Sequence, residues 1–144
     1  LSTLLPPPNV AIAGLLAGEA IAAGDACYIK SDGKVWKSLA TTSSAVINPA
    51  GKVVGYAAMA AASGEAVTLY REVCFNYGSG MTPGASIYLD GTTAGVLNDA
   101  PSANFLSTAT TVVGSIIQDK HQGAILPIGI VVDATRVLLW ASRY

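Results

Sequence analysis

The apolar positions of this chain fall in short runs broken by Gly, Asp, Asn, Ser or Pro. That pattern predicts strands and turns rather than amphipathic helices. Residues 26–30 (Ala-Cys-Tyr-Ile-Lys) and 34–37 (Lys-Val-Trp-Lys) flank Ser31-Asp32-Gly33, which reads as a hairpin whose three-residue loop takes its left-handed position from Gly33. Residues 86–89 and 95–97 bracket the turn-rich stretch 90–94 in the same way. Further strands are expected at 53–54, 67–70, 111–113, 128–132 and 136–140, where β-branched side chains suit a pleated surface. Helix propensity competes only at 57–62, Ala-Ala-Met-Ala-Ala-Ala. That run is too short to nucleate a helix alone, and it is expected to be a strand on a crowded interface that admits only small side chains.

Laid side by side, the two halves share landmarks. Gly24 and Tyr28 recur as Gly84 and Tyr88, 60 residues on; Val53-Val54-Gly55 recurs as Val112-Val113-Gly114, and Gly64 as Gly123, each 59 residues on. Common residues match cheaply, but four landmarks in one order suggest duplication. The expectation is an all-β protein, a small sandwich or barrel built from two related β-motifs packed face to face. Tyr28, Val35, Tyr88, Val113, Ile128 and Leu138 are expected in its core. Its 144 residues fit one domain, assigned to residues 10–144.

Residues 1–9 stand apart. Leu1, Leu4 and Leu5 precede Pro6, Pro7 and Pro8, and three successive prolines favour an extended polyproline segment reaching roughly 28 Å over nine residues. Flexible tails are commonly polar and charged; this one is apolar. Leu1, Leu4, Leu5, Pro6, Pro7 and Pro8 are therefore the candidate contacts to a neighbouring molecule.

Composition narrows the function. Charged residues make up 12% of the chain and hydrophobic residues 51%, against roughly 25% charged in ordinary domains, which points to burial against other proteins. Eight basic and nine acidic residues without clustering disfavour nucleic acid. The run 10–23 has no Lys or Arg before it and is interrupted by Gly14, Gly18 and Glu19, so neither a signal segment nor a membrane span is expected. Cys27 and Cys74 are expected to be two small buried hydrophobes; nothing in their spacing requires a bridge.

Catalytic chemistry is sparse. His121 is the one histidine, in a polar stretch beside Asp119, with no nucleophile-elbow sequence. One His and two separated Cys make a zinc site improbable, and no Gly-rich phosphate loop opens a helix. The chain is expected to be no enzyme and to use no cofactor and no metal.

Several phrases resemble the capsid decoration, or cement, proteins of tailed bacteriophages. They are Ala17-Gly18-Glu19-Ala20-Ile21-Ala22-Ala23-Gly24-Asp25-Ala26-Cys27-Tyr28, Ser31-Asp32-Gly33-Lys34-Val35, Val53-Val54-Gly55, Gly64-Glu65-Ala66-Val67, Thr82-Pro83-Gly84 running into Ile87-Tyr88-Leu89, Ile128-Gly129-Ile130-Val131 and Ala134-Thr135-Arg136-Val137-Leu138-Leu139. The sequence departs from the pattern at Cys27, where an aliphatic residue is usual, and in the longer, more polar stretch 100–123. The resemblance implies a β-barrel or β-tulip domain forming a homotrimer on the outer surface of a virion, bound to the major capsid protein and without catalytic residues. The competing reading is a tail-fibre-like carbohydrate- or receptor-binding β module, for which Trp36, Tyr77, Trp140 and Tyr144 are the available aromatics. A small hydrolase built on His121 is a third.

Overall fold

The computed structural model describes residues 11–40, 49–99 and 127–142. Ten strands account for most of the regular structure: β1 (Ala11–Leu16), β2 (Ala26–Ile29), β3 (Val35–Lys37), β4 (Gly55–Ala57), β5 (Ala66–Tyr70), β6 (Glu72–Asn76), β7 (Ser86–Leu89), β8 (Leu97–Asn98), β9 (Gly129–Val131) and β10 (Arg136–Trp140). Among the described residues the only helical piece is a 3-10 turn at Pro49–Gly51. The hairpin around Gly33 forms as the sequence predicts. Ile29 pairs with Val35, Gly33 has φ 78°, and Asp32 accepts the Lys34 N–H at 2.8 Å.

The strands build two antiparallel five-stranded sheets packed as a sandwich, in the orders β1-β5-β4-β2-β3 and β6-β10-β9-β7-β8. Adding five to each strand label turns one sheet into the other, so the duplication is real at the level of topology. Backbone hydrogen bonds repeat with it. Gly24 N–H donates to the Ala57 carbonyl at 2.7 Å and Gly84 N–H to the Val131 carbonyl at 2.8 Å. Val54 N–H donates to Cys27 O as Ile128 N–H does to Ile87 O, both at 2.8 Å, and Lys30 N–H to Lys34 O as Asp90 N–H does to Val96 O, both at 3.0 Å. Gly24 and Gly84 both hold a positive φ, at 88° and 83°, a conformation costly for residues with a Cβ.

The geometry corrects one landmark. The counterpart of β4 is β9, so Val53-Val54-Gly55 corresponds to Pro127-Ile128-Gly129 and not to 112–114; Val112, Val113, Gly114 and Gly123 lie outside the described residues. The connectors also differ. Residues 58–65 join β4 to β5, but only 132–135 join β9 to β10, and the pairing slips by two residues to match. Ala57 opposes Leu69 whereas Val131 opposes Val137, although β1 and β6 meet their neighbours through the corresponding pairs Leu15–Val67 and Phe75–Val137.

Each half has its own core. Ala17, Ile21, Cys27, Val35, Ala57, Ala61, Val67 and Leu69 form one; Ile87, Leu89, Leu97, Ile128, Val131, Val137 and Leu139 form the other, joined by Ala26, Ala40, Val53 and Tyr56 from the first half. The first sheet curls until its outer strands touch through one bridge, Ala17 to Val35, with Gly18 N–H donating to Val35 O at 2.8 Å. That single contact stops short of a closed barrel. The run 57–62 is not a strand on an interface: β4 ends at Ala57, the chain turns away, and Ala61 bridges Ile21. Ala57 and Ala61 are small because they fill the first core, while Met59 between them is 77% exposed.

Of the expected core residues, Val35 and Ile128 are buried and Val113 lies outside the described residues. Tyr28, Tyr88 and Leu138 are half-buried instead. Their strand neighbours Cys27, Ile87, Leu89, Val137 and Leu139 point inward, because successive side chains alternate between faces and only one parity can face the core. Cys27 is buried as expected but Cys74 is exposed, and both thiols are free.

Candidate functional site

The arm residues Leu1, Leu4, Leu5, Pro6, Pro7 and Pro8 lie outside the described residues, as do Asp119, His121 and Tyr144. The arm leads into β1, an edge strand of the first sheet.

The aromatics proposed for sugar stacking are engaged in packing. The Trp36 indole N–H donates to both Asp32 carboxylate oxygens, at 3.1 and 3.3 Å. Lys30 Nζ lies 4.5 Å from the ring centroid, and the ring packs so tightly on Gly18 that a Cβ there would stand 2.3 Å from it. Tyr77 is half-buried; its hydroxyl accepts the Leu97 N–H at 3.2 Å, and burial raises its pKa above the ordinary phenol value. Trp140 is also half-buried, opposite Glu72 across β6 and β10.

The surface feature that sequence reasoning missed is the outer face of the second sheet. Cross-strand pairing aligns Cys74 with Leu138 and Ile130, and Ser86 continues the row on β7. Ile130 is 37% exposed and the neighbouring Val132 43%. At the margin, Arg136 is held by Asp133 through a 2.6 Å ion pair. Asp133 also accepts the Thr135 and Arg136 backbone N–H groups, at 3.0 and 2.9 Å. Those hydrogen bonds, the Thr135 N–H foremost, hold its carboxyl down to about 2. The row itself carries no charge. Within β10 the run Val-Leu-Leu-Trp at 137–140 is apolar on both parities, and only Arg136 at its start marks the even-numbered side as outward.

Two open clefts lie among the described residues. Ala58, Met59, Ala60, Val67, Thr68 and Tyr70 help line one of about 190 Å³. Ile12, Lys52, Val54, Arg71 and Ser142 help line the other, of about 290 Å³. Neither brings a nucleophile together with a base. Cys27 lies apart from both; burial, then the charges of Asp25 and Glu19, push its thiol up to about 12, so it stays a neutral filler. Among the described residues no three His, Cys, Asp or Glu side chains converge as metal ligands, and no helix is long and apolar enough to cross a membrane. No protein-family model matches the chain, and no curated protein matches it.

Proposed function

We propose that this protein is a structural component of a phage virion, a decoration protein that binds the outer surface of the major capsid protein shell as a homotrimer and stabilises it. The observation that carries this reading is the uncharged row Cys74–Leu138–Ile130 on an open sheet face, in a chain of which 12% is charged. A face of this kind is suited to burial against protein. Stabilising a shell requires many repeated weak contacts and no reaction. Three linked copies raise avidity by about 10² to 10⁴ over a single contact when the geometry lets all engage, and a cyclic trimer repeats each apolar contact three times. The arm 1–9 precedes in sequence β1, an edge strand, and is the second attachment element, a clamp on the shell or a neighbouring subunit.

The test is co-sedimentation of the purified full chain with expanded, undecorated phage heads. Saturable binding at a fixed ratio to the capsid protein is expected, with removal of 1–8 lowering occupancy about ten-fold or more. Failure of the full chain to sediment with any such shell, alongside glycan-dependent binding to host cells, would overturn the reading in favour of a receptor-binding module.

A further inference from the structure

The two sheets leave their first strands at equivalent edges, yet the edges are built differently. In β1 the pairing with β5 shifts register between Ile12 and Leu15, around Gly14 with φ 79°, and the strand runs on into the bridge from Ala17 to Val35. A bulge and a covered end are ways of blunting an edge. β6 has neither. It pairs with β10 through five consecutive residues without a shift and contains no Pro, Lys or Gly. Tyr77 N–H donates to Thr135 O and Ala141 N–H to Arg71 O, so the odd-numbered positions of this strand bond to β10. The N–H and C=O groups of Glu72, Cys74 and Asn76 therefore point away from the sheet. Among the described residues nothing pairs with them. The inward-facing Val73 and Phe75 pack on the core but are only half-buried, as expected of an edge with one side uncovered.

We infer that β6 is an edge-pairing site for a second copy of this chain, the two strands running antiparallel about a two-fold axis at Cys74. The sequence is self-complementary in that register. Cys74 opposes Cys74 of the second copy, Val73 opposes Phe75, and Glu72 opposes Asn76, so no like charges meet. Each of the three pairs 74–74, 72–76 and 76–72 exchanges two backbone hydrogen bonds, and the uncovered sides of Val73 and Phe75 close over one another. The two five-stranded sheets become one of ten, and the Cys74–Leu138–Ile130 rows join into a single face of twice the length. This contact does not depend on the capsid reading. A ring of three copies would leave three such edges for neighbouring rings.

Cross-linking reads the register directly. Residues directly opposite at a hydrogen-bonded pair have Cα atoms about 5.5 Å apart, within reach of a short bis-maleimide. The full-length protein treated with that reagent is expected to give a covalent pair through Cys74, and Cys74→Ser is expected to give none, since Cys27 is buried. Asn76→Pro removes an outward N–H from each copy while leaving every bond from β6 to β10 in place. It is expected to weaken pairing, and with it cross-linking, by about ten-fold, whereas Asn76→Ala, which keeps the N–H, pairs like the parent. Circular dichroism on both variants verifies that the fold is retained. A folded parent that gives no Cys74 cross-link at concentrations where light scattering detects oligomers would overturn the inference and leave shell binding untouched. Equal cross-linking of the Pro and Ala variants would overturn it too.

Discussion

The outer strands of the first sheet meet through a backbone bridge, Ala17 to Val35, whereas among the described residues those of the second meet through a side chain, although both follow one strand plan. The difference traces to a few positions. Ala17, fully buried, lets the strand end approach Val35 closely enough for a backbone bridge. The corresponding residue in the second half is Tyr77, and there the Leu97 N–H is satisfied by the Tyr77 hydroxyl rather than by backbone. Tyr56 of β4 lies fully buried within the second core, its one hydroxyl hydrogen shared between the carbonyls of Trp140 at 2.9 Å and Ile128 at 3.3 Å. The residue corresponding to Tyr56 on β9 is Ile130, 37% exposed. Duplicated motifs thus acquire different roles when one supplies the plug and the other the socket.

Breaking the plug has the largest expected effect. Tyr56→Ala removes a buried ring and its shared hydroxyl hydrogen bond and is expected to cost about 3–5 kcal/mol. Ile130→Ala, at the equivalent position, is expected to stay within about 0.5 kcal/mol in the isolated subunit. Urea unfolding of the two variants side by side measures the asymmetry, and equal losses would erase it.

A smaller effect tests what the halves still share. Gly55 and Gly129 occupy the same place, each beneath the neighbouring strand. A Cβ on Gly55 would meet Leu69 Cβ at 2.8 Å, and one on Gly129 would meet Leu139 Cδ2 at 2.6 Å and the Leu138 carbonyl at 2.7 Å. Gly55→Ala and Gly129→Ala are both expected to destabilise by about 1–3 kcal/mol through overpacking, with Gly129→Ala the worse because the backbone oxygen it meets is nearer, 2.7 Å against 3.1 Å for the Tyr70 carbonyl at Gly55. Thermal melts of the two variants provide the ranking.

The smallest effect distinguishes the connectors. Asp133 organises the short turn between β9 and β10 and titrates near 2 instead of its ordinary 3.8. A carboxyl depressed on folding contributes stability that is complete above its unfolded pKa and fades as pH falls through the folded one. The turn is therefore expected to loosen between pH 3.8 and about 2, and Asp133→Asn is expected to flatten that part of the stability profile. An unchanged profile would remove Asp133 from the account.

Local chemistry made part of this fold legible. Gly33 in Ser-Asp-Gly set the first hairpin, β10 matched its expected bounds of 136–140, and the spacing of Gly24 and Tyr28 against Gly84 and Tyr88 revealed the duplication. The mate of β4 was not legible, since Val-Val-Gly at 112–114 matches its letters while Pro-Ile-Gly at 127–129 occupies its place in the sheet. Nor was the row Cys74–Leu138–Ile130, because it forms only when three strands pair, and at 128–131 and 137–140 both parities are largely apolar, so the pattern there cannot say which side faces in.

By itself the sequence determined the strand-and-turn character, the two-motif plan and the low charge, all of which follow from residue type and short-range spacing. Tertiary structure alone decided which parity of each strand is interior, which sheet has its outer strands bridged and which takes Tyr56 into its core, and which edge is unpaired among the described residues. Those outcomes depend on contacts between residues far apart in the chain, such as Tyr56 with Trp140 and Ala17 with Val35, whose cost or benefit appears only when both partners are in place.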